Sequence, residues 1–186
     1  MKYLIAGLGN IGDEYANTRH NVGFQVVDAF ARLSGISFLT GRYASTCKVK
    51  VKNHQLLLIK PSTYMNLSGK AIRYWLEKEN IPVENMLVVV DDIALPPGQI
   101  RIKLKGGDGG HNGLYSIIET LQTQEFARLR FGIGKDFPKG YQSDYVLGPW
   151  TPEESEMLAP RMLEAVEAIK SFVMDGPGVA MTKYNK

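Results

Sequence analysis

The sequence predicts an α/β fold in which a twisted, mixed β-sheet is sandwiched between α-helices. Three observations support this. Segments of strand length recur along the chain, segments with helical spacing of apolar residues alternate with them, and glycine or proline turns separate the two kinds. A chain of 186 residues is long enough for one domain with its own core. We therefore expect a single domain over residues 1–186.

Each predicted element rests on its own pattern. The strands are continuous apolar runs or strict apolar–polar alternations: residues 3–8, 43–61 (two strands about a tight Asn53-His54 turn), 86–92, 100–105 and 127–134. The helices carry apolar residues three and four positions apart: residues 21–33, 68 to before Pro82, 114–122 and 152–174. Ser68 is expected to cap the second helix. The last helix is expected on the surface, because Glu and Lys interrupt its apolar residues.

Composition limits the possible functions only loosely. The formal net charge of +3 is compatible with a nucleic-acid partner but does not require one. The single cysteine, Cys47, allows no intramolecular disulfide, which fits a reducing compartment, and it lies in a strand pattern as a packing residue. No apolar segment has the length of a signal peptide core or of a membrane span. We therefore expect a cytoplasmic protein.

The stretch "GLGNIG" has the G-x-G-x-x-G spacing of a dinucleotide-binding turn. Such a site needs a helix that begins at the third glycine, because the helix N-terminus holds the pyrophosphate. Gly12 is instead followed by "DEYANTR", which has no apolar face and carries two acids. Asp28, the acid at the right distance for a ribose, lies inside the predicted helix and not at a strand end. We interpret the glycines as a tight turn, and an oxidoreductase is disfavoured.

Polar residues cluster at strand ends or beside glycines in five places: Asn10, "TRHN" at 18–21, "YMNLSG" at 64–69, Asp91-Asp92 and "GGHNG" at 109–113. Each has an ordinary explanation when it is taken alone; Asn66 and Asn112, for example, could be helix caps. Taken together, a histidine and a carboxylate can form a general-base pair, and side-chain amides can bind a carbonyl or a water. No serine or cysteine has a nucleophile context, and no zinc spacing occurs. These residues predict a metal-free hydrolase or a binding protein for a polar substrate.

In combination, the motifs resemble the bacterial peptidyl-tRNA hydrolase family. The segments that carry the resemblance are "GLGNIGDEYANTRHNVGF", "KPSTYMNLSGKA", "DDIALPPGQIRIKLKGGDGGHNGL" and "RLRFGIG", in family order and spacing. The resemblance spans residues 3 to about 148. It implies a monomeric α/β domain that hydrolyses the ester between a peptide and the 3′ ribose of tRNA, with peptidyl-tRNA as its partner and without a cofactor.

The resemblance also implies roles for individual residues. His20 matches the general base and Asp91 the carboxylate that orients it. Residues that match substrate-binding positions are Asn10, Tyr15, Met65, Asn66, His111 and Asn112, of which Met65 is an apolar wall and His111 a supporting neighbour. Residues that match contacts to the tRNA phosphates are Arg101, Lys103 and Arg130. In the turn after Asp91, "DDIAL" departs from the family pattern, because Ala94 replaces an acidic residue.

The alternation of apolar and basic residues in two strands predicts a basic surface independently of the family resemblance. In "IRIKLK", a period of two places Arg101, Lys103 and Lys105 on one face, and "ARLRF" does the same for Arg128 and Arg130. An ordinary solvated sheet face would show the same pattern, but two such strands beside the "GGHNG" loop predict a phosphate-binding surface. The alternative function is that of a non-catalytic RNA-splicing partner, which organellar relatives of this fold provide.

Overall fold

The computed structural model describes residues 1–186, which form one seven-stranded sheet and six α-helices. The strands are β1 (Lys2–Gly7), β2 (Leu39–Thr40), β3 (Ala44–Val51), β4 (His54–Pro61), β5 (Met86–Asp92), β6 (Ile100–Lys103) and β7 (Ala127–Gly132). The helices are α1 (Val22–Leu33), α2 (Ser68–Glu79), α3 (Asn112–Leu121), α4 (Gln142–Val146), α5 (Pro152–Met174) and α6 (Pro177–Tyr184). No helix combines the length and the apolar composition that a membrane span requires.

The sheet is mixed, with the order β2-β3-β4-β1-β5-β7-β6. Its four central strands, β4, β1, β5 and β7, run parallel, whereas β2, β3 and β6 join antiparallel at the two sides. The carboxyl ends of the parallel strands therefore lie at one edge of the sheet, where ligands bind in open α/β folds. The residues at or after the ends of β1, β4 and β5 include Asn10, Asn66 and Asp92, so three of the predicted polar clusters meet at that edge.

Helices cover both faces of the sheet, which confirms the predicted fold class. Within β1, Ile5 points into a core shared with α1 and α5, whereas Leu4 and Ala6 point into a core shared with α2 and α3. This alternation follows from the strand's period of two, and all three side chains are fully buried.

The glycines of "GLGNIG" serve close packing of β1 against α1. A Cβ atom on Gly7 would collide with the carbonyl oxygen of Gly23, and one on Gly9 would lie 2.8 Å from the Phe24 ring. Gly12 has φ 111°, and a 3-10 turn over Asp13–Tyr15 follows it, whereas the α-helix begins only at Val22. The absence of a helix at the third glycine is what the sequence predicted, and it leaves no helix N-terminus there for a pyrophosphate.

Two local predictions were wrong. The β3–β4 turn is Lys52-Asn53, with Lys52 left-handed at φ 51°, and His54 is already the first residue of β4. Ser68 does not cap α2, because a 3-10 turn over Met65–Leu67 runs directly into the helix. The Ser68 hydroxyl instead donates to the Met65 carbonyl at 2.8 Å.

The C-terminal segment is more deeply packed than predicted. Only the first half of α5 is exposed, whereas Ala165, Val166, Ile169 and Phe172 are buried against the core. The short helices α4 and α6 and the strand β2 were not predicted. After α6, the Asn185 side chain bonds the N–H and the C=O of Ile102 at 2.6 and 2.8 Å, and so covers the free side of the edge strand β6.

Candidate active site

The centre of the site is a carboxylate held between two imidazoles. Asp91 lies near the carboxyl end of β5, His20 lies in the 3-10 turn Arg19–Asn21 before α1, and His111 directly precedes α3. The Asp91 Oδ2 atom is 2.8 Å from His20 Nδ1, and its Oδ1 atom is 2.8 Å from His111 Nε2. The two rings are 5.2 Å apart between centroids. Asp91 and His20 are buried, and residues 71 positions apart are thus brought into direct contact.

The backbone of α3 fixes which ring nitrogen of His111 faces Asp91. Its Nδ1 atom accepts from the N–H groups of Gly113 at 3.1 Å and Leu114 at 3.3 Å, so Nδ1 carries no proton. The Nε2–H group of His111 therefore donates to Asp91 Oδ1. His111 caps α3, and Asn112 is the first helical residue, so Asn112 is not the cap that its residue type allowed.

Electrostatics favour an ionised Asp91 and a basic His20. Burial lowers the pKa of His20, but the charge of Asp91 and the hydrogen bond to it together outweigh burial and raise that pKa above 6.5. Burial also opposes ionisation of Asp91. The attraction and the hydrogen bonds of His111 and His20 nevertheless hold the Asp91 pKa well below its usual range. With Asp91 ionised, His20 donates through Nδ1 and its Nε2 atom is left as a base.

A cavity of about 560 Å³ opens beside this centre. Its walls come from the β5 end and the following turn, from the "GGDGGHN" loop, from basic residues of β6 and β7, and from α4. The lining residues used below are His20, Asp91, Lys103, His111, Asn112, Arg130, Gln142, Ser143 and Val146. Two predicted site residues that lie far apart in sequence, His20 and Asn112, therefore share one cavity.

Asn10 is held in a fixed orientation next to this cavity. Its Oδ1 atom accepts from the Met65 N–H at 2.7 Å, which leaves the amide nitrogen free to donate. The Asn21 side chain bonds the Asn10 N–H and C=O, each at 2.8 Å. Asn10 and Asn21 line a second, smaller cavity of about 260 Å³, with Phe24 and Lys60 in its wall. The structure thus places Asn10 beside the histidine turn but in a different cavity from His20.

The other predicted substrate-binding residues lie at varying distances from the centre. Met65 is buried, and its sulfur packs against the start of α3, 2.6 Å from where a Cβ on Gly113 would lie. Asn66, in the turn Met65–Leu67, and Asn112 are both exposed, but only Asn112 lines one of the two cavities. Tyr15 is half-buried in its 3-10 turn and lines neither of the two cavities.

The basic face of β6 and β7 is smaller than predicted. Arg101 and Arg130 are directly opposite each other in the antiparallel register, and Lys103 is exposed. Arg128 is 2% exposed, and its guanidinium donates to the carbonyls of Gly107, Gln124 and Phe126. The prediction that Arg128 joins a phosphate-binding face is therefore wrong, because its hydrogen bonds to these three carbonyls hold the guanidinium inside the protein.

Asp92 supplies the hydrogen bonds of the turn that contains Ala94. One oxygen of the Asp92 carboxylate accepts from the Ala94 N–H at 2.8 Å, and the other lies 2.6 Å from Arg130 Nε. The turn after Asp91 is thus closed without an acidic side chain at position 94. Arg130, by contrast, already has an anionic partner.

His20, Asp91 and His111 are also the one group of potential metal ligands in the protein, with donor atoms within 4.8 Å of one another. Both carboxylate oxygens already accept an imidazole N–H at 2.8 Å. A metal ion would have to replace both of these hydrogen bonds, so the arrangement suits proton transfer better than metal binding.

Sequence reasoning missed several residues that build the site. Asn21, which anchors Asn10, and Arg19, which reaches α4 and α5, both belong to the quoted "TRHN" segment, so the signal was present but unassigned. The cavity wall of Gln142, Ser143 and Val146 has no recognisable motif, because it is defined only by contact with the distant histidine turn.

Comparisons with known proteins agree with this geometry. The sequence model of the family described as peptidyl-tRNA hydrolase matches residues 4–186. The chain belongs to the peptidyl-tRNA hydrolase family. It is 59% identical to the peptidyl-tRNA hydrolase of Phocaeicola vulgatus and 56% identical to that of Bacteroides fragilis, over all of both chains. The crystal structure of the peptidyl-tRNA hydrolase of Acinetobacter baumannii superposes with a TM-score of 0.93 at 36% identity, over 98% of this chain and 94% of that one.

The family membership confirms the resemblance and the prediction of a hydrolytic enzyme. A more distant likeness, to a Campylobacter jejuni 5′-methylthioadenosine/S-adenosyl homocysteine nucleosidase, has a TM-score of 0.57 at 10% identity and concerns the fold alone.

Proposed function

We propose that this protein hydrolyses the ester bond between a peptide and the 3′ ribose of tRNA, with His20 as the general base. The observation that carries the proposal is the chain of hydrogen bonds from α3 through His111 and Asp91 to His20. It leaves one lone pair, on His20 Nε2, at a buried position beside the 560 Å³ cavity. Family membership supports the ester of peptidyl-tRNA as the substrate.

In this mechanism, His20 Nε2 takes a proton from a water molecule, and the water oxygen forms a bond to the ester carbonyl carbon. Asp91 stabilises the imidazolium that results, without accepting the proton itself. The tetrahedral intermediate then breaks its bond to the ribose 3′ oxygen, which receives the proton from His20. The products are a peptide with a free carboxylate and tRNA with a free 3′ hydroxyl.

The side-chain amides divide between the two cavities. Asn112 shares the larger cavity with His20, so we assign it to the reacting ester, where an amide N–H stabilises the developing oxyanion. Asn10 presents its free amide nitrogen from the smaller cavity and is assigned to the peptidyl side, with Met65 as its anchor. Asn66 lines neither cavity, so its assignment to the terminal ribose rests on the family resemblance alone. The position of Tyr15 outside both cavities offers no contact that supports its predicted substrate-binding role.

The tRNA backbone is assigned to the exposed basic face of β6. Arg101 has no acidic partner, and Lys103 lines the cavity at its basic side. Arg130 contributes charge but shares it with Asp92. Phosphate contacts of this kind position a nucleic acid without reading its bases. Because peptidyl-tRNA is a product of translation, we expect the protein to act in the cytoplasm. We also expect it to be a monomer that consists of one domain.

The experiment that tests the function compares N-acetyl-aminoacyl-tRNA with free aminoacyl-tRNA in parallel incubations. Hydrolysis of the blocked ester with sparing of the free one is expected. The matched control is the Asp91→Asn variant, checked for folding by circular dichroism, because it removes the orienting charge with almost no change in shape. If the folded wild-type protein cleaves neither substrate, the hydrolase proposal is wrong, and the alternative of a non-catalytic RNA-splicing partner gains support.

A further inference from the structure

Arg19, the residue immediately before His20, is buried and connects three segments of the chain. Its side chain is 8% exposed. The guanidinium donates to the Tyr145 carbonyl at 3.0 Å and to Glu154 Oε1 at 2.9 Å, and it stacks 4.0 Å above the Tyr145 ring. Its own backbone N–H donates to the Gly148 carbonyl at 3.1 Å. The histidine turn is thus attached through Arg19 to α4 and to the first turn of α5.

Glu154 makes this attachment specific. The same Oε1 atom that receives Arg19 also accepts from the Thr151 N–H at 2.9 Å, as part of the capping box that begins α5. One carboxylate oxygen therefore fixes both the start of α5 and the guanidinium of Arg19. The path from α4 to α5 is short, so the carboxyl end of α4 is held close to the start of α5.

The segment that Arg19 holds is a wall of the catalytic cavity. Gln142, Ser143 and Val146 of α4 line the same 560 Å³ space as His20 and Lys103. The other anchor of α4 is the Tyr145 hydroxyl, which donates to the Ile133 carbonyl at 2.6 Å. No residue of α4 is fully buried, and only Tyr145 and Val146 pack in part against the core. The position of α4 therefore depends on these polar contacts together with that partial packing.

The contribution of Arg19 to protein stability does not by itself explain why an arginine is buried at this position. A buried ion pair gains little over well-packed apolar residues of the same volume, because both charges must leave water. The Arg19 Nε–H is also buried without an acceptor, which adds a cost. The contacts of Arg19 are therefore better explained by their effect on position, because they fix the distance between α4 and His20.

We propose that Arg19 is a positioning residue that fixes the α4 wall against the histidine turn, so that Gln142 and Ser143 bind the 3′-terminal nucleotide of the substrate. This rests on the proposed function, since it names the part of peptidyl-tRNA that this wall receives. The wall lines the same cavity as the catalytic pair and the cations Lys103 and Arg130, so a substrate end that reaches His20 from those cations lies against it.

The test is the double variant Arg19→Met with Glu154→Gln. Met fills much of the arginine volume, and Gln is compatible with a capping box, so the fold keeps its packing while α4 loses the charged contacts. The matched control is Arg161→Met with Glu164→Gln, which removes the exposed ion pair of the same helix. The measurements are kcat and KM for N-acetyl-aminoacyl-tRNA across pH, and hydrogen exchange of residues 142–146.

We expect KM to rise about 10- to 10²-fold, the range that a displaced binding wall produces. The acidic limb of the kcat profile should stay in place, because His20 and Asp91 are untouched. Exchange should accelerate in residues 142–146 but not in β1 or β5, and the control should match the wild type. An unchanged KM in the folded variant, a shifted acidic limb, or unchanged exchange in α4 would overturn the proposal. If the wild type itself is inactive, the proposed function fails, while the exchange result still judges the attachment.

Discussion

The Asp91→Asn substitution tests the catalytic centre most sharply, because the structure predicts which way the new amide turns. His111 Nδ1 is occupied by two backbone N–H groups of α3, so His111 can only donate through Nε2. An asparagine at position 91 must therefore present its oxygen to His111 and its NH₂ group to His20. His20 Nδ1 then becomes an acceptor, and the proton moves to Nε2, where the base is needed. The variant is expected to hold His20 in the wrong tautomer.

The size of the effect follows from this geometry. A general base contributes about 10²- to 10⁴-fold, and a wrong tautomer removes most of it. Burial is the largest influence on the His20 pKa, and it lowers that pKa; the opposing contribution comes from Asp91. Without the Asp91 charge, only the lowering remains. In the wild type, kcat/KM should rise with pH through a His20 pKa that lies above its ordinary value, whereas in the variant the acidic limb should move to lower pH.

The assay is the pH profile of N-acetyl-aminoacyl-tRNA hydrolysis for both proteins. The loss should persist at high pH, because deprotonation does not correct a tautomer. A second substitution, His111→Asn, distinguishes this explanation from a general disturbance. Asparagine caps α3 as well as histidine does but is too short to bond position 91, so the amide introduced by Asp91→Asn becomes free to turn. The double variant should be at least as active as Asp91→Asn alone.

Two results would refute this reasoning. Wild-type activity of Asp91→Asn at high pH would reduce Asp91 to a structural residue. A double variant whose loss equals the product of the two single losses would show that His111 does not control the amide, since independent sites are additive.

The remaining predictions concern the base, the metal, the tRNA face and the fold. His20→Ala should lose about 10²- to 10⁴-fold in kcat and should also lower the melting temperature, because it leaves the buried Asp91 carboxylate without one of its two hydrogen-bond partners. Activity in excess chelator should equal the untreated rate once polyamine keeps the tRNA folded. Arg101→Ala with Lys103→Ala should raise KM and reduce the salt slope of binding by just under about 2, while kcat is kept. Gly7→Ala should destabilise the protein by about 1–3 kcal/mol or more in denaturant unfolding, because its Cβ meets the backbone of α1.

Each of these has a control and a contrary outcome. Lys48→Ala with Lys50→Ala removes the same charge from β3, which lies on the opposite side of the sheet from β6. An equal rise in KM for this control would show that the effect comes from net charge and not from the position of Arg101 and Lys103. Gly178→Ala in α6 meets no atom within 4 Å and should not destabilise, so a similar loss at both glycines would contradict the packing argument. Rescue of chelated protein by zinc alone, or near-full activity of folded His20→Ala, would overturn the mechanism itself.

Much of the fold could be predicted, because it depends on patterns that are local in sequence. The apolar period of two in β1 and of 3.6 in α1 reports which side of an element is buried, and both elements were placed within a residue of their ends. Short elements escaped prediction. The five residues of α4 are too few to show a period, and contacts to Arg19, Ile133 and the core, all distant in sequence, hold α4 in place.

The candidate site, like the fold, could be predicted from the sequence only in part. The sequence by itself determined which polar side chains stand at the strand ends, His20 and Asp91 among them. They could be recognised because each lies next to an apolar strand or a glycine turn in the sequence. Only the tertiary structure decided that His111 is a direct partner of Asp91, that Arg128 turns inward to loop carbonyls, and that Asn10 faces a second cavity. These outcomes depend on distances between segments that lie far apart in the chain, and on which buried donors and acceptors find partners, and neither is encoded in any one segment.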